Sequence, residues 1–429
     1  MQIHVVSNGE SLWSISQTYS VNYLAIAEAN QLPDPEQLVV GQALVIPVAG
    51  RFHWMGTQEN LQQISERYHI SLQHLLRMNN IVNPAFVPVG SRLYIPGMNR
   101  QNQAIDVGAY VDINITGAES PEVLGEVGNY LTFVQVFSYE LNEDGSLTSI
   151  EDQQIINTAY ENSVVPLMVI TNIEDGQFSP ELVTTILQSE ELQERMLDEA
   201  IAIMNEKGYL GLDMDLEYLG EVNREPYNQF MRRAKERLDE LGYFLSSALA
   251  PQVEEDMVGV LYEGHDYEAH GEIADFVFLM TYEWGWTGGP PRAVAPINEV
   301  RRVIEYAASV MPNEKIMMGI PLYGYDWTLP FVQGETRAKA IDHQEAIELA
   351  LTYNAVIEYD EEAQSPFFTY VDEQGDEHEV WFEDARSIQA KFDLVKEFDL
   401  RGLYYWVLGW DFPQNWLLLE DNFQINKRV

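Results

Sequence analysis

No cysteine occurs anywhere in the chain, which rules out disulfides, thiolate metal sites and cysteine nucleophiles. Basic residues are scarce. The 24 lysines and arginines face 68 aspartates and glutamates, a formal charge of -44. A surface that negative repels phosphate backbones and anionic headgroups, so no nucleic acid and no membrane is expected as partner. Neutral sugars stay compatible. The 8 histidines show no H-E-x-x-H or comparable spacing, so no metal and no cofactor is expected. No run is apolar enough to span a bilayer. The start, Met1-Gln-Ile-His-Val-Val6, lacks a basic stretch followed by an apolar run of signal-peptide length. Low-complexity tracts and long Gly/Ser linkers are missing as well.

What is present is a chain of 429 residues, 46% hydrophobic, enough for two or three domains with a large core. A constant shift aligns residues 4–47 with 53–96 without a gap. His4 meets His53, Leu12 meets Leu61, Ile15 meets Ile64, Tyr19 meets Tyr68, Asn30 meets Asn79, and Val40-Gly41 meets Val89-Gly90. Each unit reads as strand, polar turn, helix, helix, Pro-rich loop and strand. Leu12, Ile15 and Tyr19 share one helix face, and Leu24 and Ala27 mark the second helix. The last strand runs from Ala43 to Ile46 and stops at Pro47.

The pattern Val6-x-x-Gly-Glu-Ser-Leu-Trp-Ser-Ile15, then Asn30, then Gly41-Gln-x-Leu-x-Ile-Pro47 resembles a LysM module. Modules of that family bind glycans containing N-acetylglucosamine. The resemblance implies sugar contacts at Asn8, Gly9, Glu10, Ser11 and Leu12, with Leu32, Pro33 and Asp34 across the groove. In the second unit Gln58 replaces Gly9 and Asn60 replaces Ser11, a departure in its sugar-binding turn.

A polar connection over 98–104 leads into strand-like runs alternating with helical ones. Strands are expected at Val107–Asn114, Thr132–Ser138, Pro166–Thr171, Gly211–Glu217, Phe244–Ala250, Phe276–Thr281, Lys315–Ile320 and Gly402–Val407. Helices are expected at Pro180–Lys207, Arg224–Leu241, Ile297–Val310 and Asp384–Phe398. Such alternation predicts an α/β fold, a closed (β/α)8 barrel with its chemistry at the carboxyl ends of the strands. The expected domains are 1–48 and 51–97 as βααβ modules and 105–429 as the barrel. A small insertion at about 326–382 includes a hairpin around Gly375 and would wall one side of the cleft.

The segment Gly208-Tyr-Leu-Gly-Leu-Asp213-Met-Asp215-Leu-Glu217-Tyr218 alternates acids with apolar residues. On a strand, Asp213, Asp215 and Glu217 would share one face. Clustered and buried carboxyls hold protons, so the outermost, Glu217, suits a general acid. A calcium loop is excluded, because Tyr218 and Arg224 stand where an EF-hand needs Gly and Glu.

Leu210-Gly-Leu-Asp-Met-Asp-Leu-Glu217 resembles the signature Asp-Gly-x-Asp-x-Asp-x-Glu of family-18 glycoside hydrolases, with Leu210 in place of the first Asp. Phe278-Leu-Met-Thr-Tyr-Glu-Trp284, Lys315-Ile-Met-Met-Gly-Ile-Pro-Leu-Tyr-Gly324 and Gly402-Leu-Tyr-Tyr-Trp406 resemble that family's sixth, seventh and eighth strands, with Glu283 where Asp is usual. The resemblance implies Glu217 as acid/base, Asp215 as orienter of the substrate's acetamido group, Asp213 as its support and Tyr282 as hydrogen-bond donor. Trp406 would form the sugar floor, with Glu283 and Trp284 also touching substrate.

Two such modules joined to such a barrel resemble the SleL/YaaH group of spore cortex-lytic N-acetylglucosaminidases. That implies an enzyme acting on peptidoglycan at the coat/cortex interface of a bacterial spore, made in the mother cell without a signal peptide; a monomer is expected. Two other functions fit the same features: a chitinase, and a chitinase-like protein that binds glycan without cutting it. A spore-coat structural protein with incidental activity is a third.

Overall fold

The structure is a computed structural model and describes residues 1–48, 50–57, 59–68, 70–79, 81–84, 87–95 and 102–429. The expectations for Gln58 and for most of the 98–104 connection fall outside these residues.

The first module pairs Gln2–Val5 with Ala43–Ile46, antiparallel, around the helices Leu12–Tyr19 and Tyr23–Ala29. Leu12, Ile15 and Tyr19 enter its core as their spacing predicts. Leu24 does not: it is exposed, and Ile26 takes the buried place beside Ala27. The Asn22 side chain caps that helix at Leu24 N–H. The second module repeats the design with Arg51–Trp54, Leu61–Arg67, Leu72–Met78 and Arg92–Ile95. The repeated residues have structural duties. Asn30 bridges Ile26 and Val45 through three backbone hydrogen bonds, and Asn79 does the same for Leu75 and Tyr94. His4 joins Tyr19 to Glu10, and His53 joins Tyr68 to Glu59.

Eight parallel strands close the barrel: Gln103–Asp112, Phe133–Glu140, Val165–Thr171, Gly211–Asp215, Phe244–Leu249, Phe276–Leu279, Ile316–Pro321 and Gly402–Trp406. The eighth pairs with the first, Gly402 opposite Asp106. Phe423–Ile425 adds a short parallel strand outside the first. The fold expectation therefore stands, with local corrections. Asn114 lies beyond its strand in the turn Ile113–Thr116. The helix expected over Pro180–Lys207 is two, Pro180–Leu187 and Glu190–Lys207, because Ser189 breaks the run and caps the second at Leu192 N–H. Among the described residues no helix is long and apolar enough to cross a membrane.

After the seventh strand, a five-stranded antiparallel sheet forms from Gly324–Leu329, Lys339–Ile341, Glu358–Asp360, Ser365–Val371 and Glu377–Trp381, with the helix His343–Thr352. The hairpin around Gly375 is part of it, and the sheet spans nearly the same residues as the expected insertion. Its own core includes Phe368, Val380, Ile347 and Ile357, and it also takes in Val39 of the first module. That module is packed against the sheet. Ile357 N–H donates to Val40 C=O at 2.9 Å, and Arg386 donates to Gly41 C=O at 3.3 Å. Gly41 has φ +88, and a Cβ there would sit 1.9 Å from Ile357 O. Gly41→Ala is expected to undock the module without unfolding the barrel. Limited proteolysis would then release residues 1–48 faster than from the parent, at an unchanged barrel Tm.

Candidate active site

The fourth barrel strand lies between the third and fifth, with Asp213 opposite Val169 and Ser246 and Asp215 opposite Thr171. Asp213 is fully buried. It accepts from Tyr110 Oη at 2.6 Å and Ser246 Oγ at 2.5 Å. Burial outweighs those two donors and lifts its carboxyl to about 6. Asp215 is also buried, and its Oδ1 has no partner among the described residues. Burial, then Glu217 and Asp213, push its carboxyl well up.

Glu217 corrects the strand expectation. The strand ends at Asp215, so pairing does not orient Glu217. Asn172 does so instead. Its Oδ1 accepts from Glu217 N–H and its Nδ2 donates to Glu217 C=O, both at 2.9 Å, and Nδ2 also reaches Ser179 C=O. On the other side His265 accepts from Ala250 N–H at Nδ1 and meets Leu216 C=O at Nε2, 2.9 Å. Those partners assign its proton to Nε2. Burial lowers that imidazole to about 4, so it holds the loop as a neutral ring. Desolvation and the charge of Glu283 raise the Glu217 carboxyl to about 7.

Tyr282 stands three residues beyond the sixth strand, its hydroxyl pushed well up by burial and then by Asp215 and Glu217. That hydroxyl has no recorded partner among the described residues. Glu283 adopts φ +68 and accepts from Tyr323 Oη and, at 2.9 Å, Tyr325 Oη. Trp284 is half-buried, its N–H bonded to Val294 C=O. Trp406, also half-buried, ends the eighth strand and rests edge-on against Tyr110 at 5.3 Å and Phe137 at 5.1 Å. The fold thus gathers Asp213, Asp215, Glu217, Tyr282 and Glu283 in one field of charge. Tyr110, Ser246, Asn172, His265, Tyr323 and Tyr325 are positioning residues absent from the sequence-based set.

The first module's turn is a separate place. Asn8 and Gly9 are exposed, and Gly9 has φ +83 with open space around it. The Ser11 side chain caps the helix at Ser14 N–H. The Glu10 carboxylate is engaged by His4 and by Ser7 N–H at 2.8 Å. Leu12 is corrected as a side-chain contact to sugar: it is 2% exposed and belongs to the module's core.

The barrel and the twin modules agree with what known proteins show. Residues 129–411 match Glycosyl hydrolases family 18, and residues 4–47 and 57–96 match the LysM domain. The chain belongs to the family-18 glycosyl hydrolases and is a glycosidase. Within that family it is 50% identical to the cortical fragment-lytic enzyme of Bacillus subtilis (strain 168), over the full length of both chains. The crystal structure of the spore cortex-lytic enzyme SleL of Bacillus megaterium QM B1551 superposes with TM-score 0.91 at 44% identity, covering 100% of this chain and 99% of that one. A chitinase from Chromobacterium violaceum shares the fold, with TM-score 0.68 and 23% identity over 74% of this chain and 98% of the other.

Proposed function

We propose that this glycosidase hydrolyses the N-acetylglucosaminyl bonds of peptidoglycan in the spore cortex, with retention of configuration and with the substrate's own acetamido group as nucleophile. The observation that carries the reading is the pairing of Glu217, raised to about 7, with Asp215, whose Oδ1 is buried and unbonded. Glu217 protonates the leaving oxygen as general acid, and the resulting carboxylate later activates water. Asp215 Oδ1 accepts from the acetamido N–H, which turns the acetamido oxygen toward the anomeric carbon and stabilises the positive oxazolinium. Asp213, fixed by Tyr110 and Ser246, shares a proton with Asp215 as the charge moves. Tyr282 donates to the acetamido oxygen, and Trp406 stacks under the sugar. The spore location rests on the names of the relatives, and the glycan-binding role of the modules on their family.

The test is product analysis on purified cortex peptidoglycan and, separately, on chitin oligomers. Muropeptides ending in reducing N-acetylglucosamine, formed with retained configuration, support the reading. Cleavage of chitin alone replaces it with a chitinase, and binding without cleavage replaces it with a lectin. The pH profile supplies a further prediction. Because Glu217 must carry its proton, kcat/KM is expected to fall above about pH 7. Glu283 is one cause of that elevation, so Glu283→Gln should move the alkaline limb to lower pH. An unmoved limb would show that another group sets it.

A further inference from the structure

The loop after the sixth strand runs past Trp284 to Trp286-Thr-Gly-Gly289 and meets the first loop of the inserted sheet. Trp286 is 42% exposed. A Cβ on Gly288 would lie 2.5 Å from Trp286 Cζ3 and 2.7 Å from Arg337 Nη1, and one on Gly289 would lie 2.4 Å from Trp286 Nε1. Glycine at both positions lets the indole and the guanidinium settle against the same piece of backbone. Two hydrogen bonds fasten the loops beside them. Ala338 N–H donates to Thr287 C=O at 2.8 Å, and Thr287 Oγ1 donates to Ala338 C=O at 2.9 Å. The ledge is tied to the catalytic rim. Trp327 Nε1 donates to Gly289 C=O at 2.8 Å, Trp327 packs edge-on against Tyr325 at 5.4 Å, and Tyr325 donates to Glu283.

Arg337 is exposed and has no recorded ion pair or hydrogen bond among the described residues. Elsewhere in residues 102–429 the arginines are paired with acids: Arg195, Arg224, Arg233, Arg237, Arg292, Arg301, Arg302, Arg386, Arg401 and Arg428. The other exception is Arg232, on the exposed side of a helix flanking the barrel. In a chain with 68 acidic residues, an unpaired guanidinium held beside an open indole on the catalytic face is suited to an incoming anion.

We infer that Trp286 and Arg337 form a subsite for a carboxylate-bearing sugar unit of the substrate, the indole stacking on the ring and the guanidinium gripping the carboxylate. This rests on the peptidoglycan reading and sharpens it. Muramic acid carries a lactyl carboxyl, either free or extended by a stem peptide with carboxyls of its own, whereas chitin carries none. Arg337 therefore selects against neutral glycans that the carboxylate cluster alone would accept.

The experiment uses the full chain with Glu217→Gln, so that ligands persist, and measures binding by calorimetry with and without Arg337→Ala. The ligands are peptide-free muramyl oligosaccharides, the same oligosaccharides with peptides attached, carboxyl-amidated versions of both, and chitooligosaccharides. The expected result is a roughly five- to tenfold fall in the preference for carboxylate-bearing over neutral ligands, the scale of a partly solvated charge-assisted pair. Arg337→Lys, which keeps the charge but loses the planar fork, should restore part of it. Loss with the peptide-free ligand assigns the lactyl carboxyl, and loss only with the peptide-bearing one assigns the stem. An equal loss on neutral and charged ligands, or none, overturns the subsite. Cleavage assays on the parent separate the two readings. Cutting of muramyl glycans with no Arg337 effect removes the subsite alone, whereas a persistent Arg337 effect with no cutting removes the proposed reaction alone.

Discussion

Glu217→Gln is expected to lower turnover by about a thousandfold or more while leaving glycan binding intact, since a positioned general acid contributes roughly 100- to 10,000-fold. The amide is nearly isosteric and keeps the backbone clamp of Asn172, which holds Glu217 N–H and C=O rather than its carboxyl. Loss of rate with unchanged affinity therefore points to the proton. The same substitution should stabilise the fold. The Glu217 carboxyl is raised from 4.5 to about 7, so between those values the folded chain keeps a proton that the unfolded chain has released. Stability of the parent thus declines as pH rises through that window, and glutamine carries no such penalty. The Tm of the variant should exceed that of the parent by a margin that grows from pH 5 to 8, equivalent to roughly 3 kcal/mol at the upper end. A margin independent of pH would mean that Glu217 titrates normally and would remove the main support for its role.

Asp106→Ala is expected to be the more damaging change for folding. The aspartate is fully buried at the start of the first barrel strand. It receives Arg401 Nε at 2.9 Å, Arg428 Nη2 at 2.7 Å and Asn426 Nδ2 at 2.8 Å. Without it, the guanidinium of Arg401, only 17% exposed, loses its counter-charge. Breaking a buried pair in this way costs about 3 kcal/mol or more. Urea unfolding should show a lower midpoint with an unchanged slope. Because Asp106 lies at the opposite end of the barrel from Glu217, kcat of the folded fraction should be preserved. A midpoint within error of the parent would show that solvent replaces the lost acceptor.

The strands were legible because each is a short apolar run between breakers, and their spacing implied a closed sheet. The gap-free repeat likewise exposed both modules. Side-chain direction was less legible. Leu24 and Ile26 are both apolar, but two positions apart on a helix they face nearly opposite ways, so only Ile26 is buried. Alternation put Glu217 on a common face with Asp213 and Asp215, but the strand stops before it and Asn172, forty-five positions away, takes over. Tyr323 and Tyr325 sit in a run that reads as ordinary strand, and their contact with Glu283 exists only once the sixth and seventh strands are neighbours. Such contacts are tertiary and leave no local signature.

The closure of the barrel also governs the order in which this chain can fold. Gln103–Asp112 is completed only by Gly402–Trp406 and Phe423–Ile425, partners about three hundred residues distant. Bringing them together costs loop entropy that no nearby contact offsets, and high contact order slows the search. Each module, by contrast, closes its two strands within a few dozen residues. During synthesis the first module can therefore be complete while the barrel is still an open sheet with exposed edges. Its Val40–Gly41 edge finds Ile357 only after most of the chain has emerged, so docking is a late event that needs the inserted sheet rather than the last barrel strand.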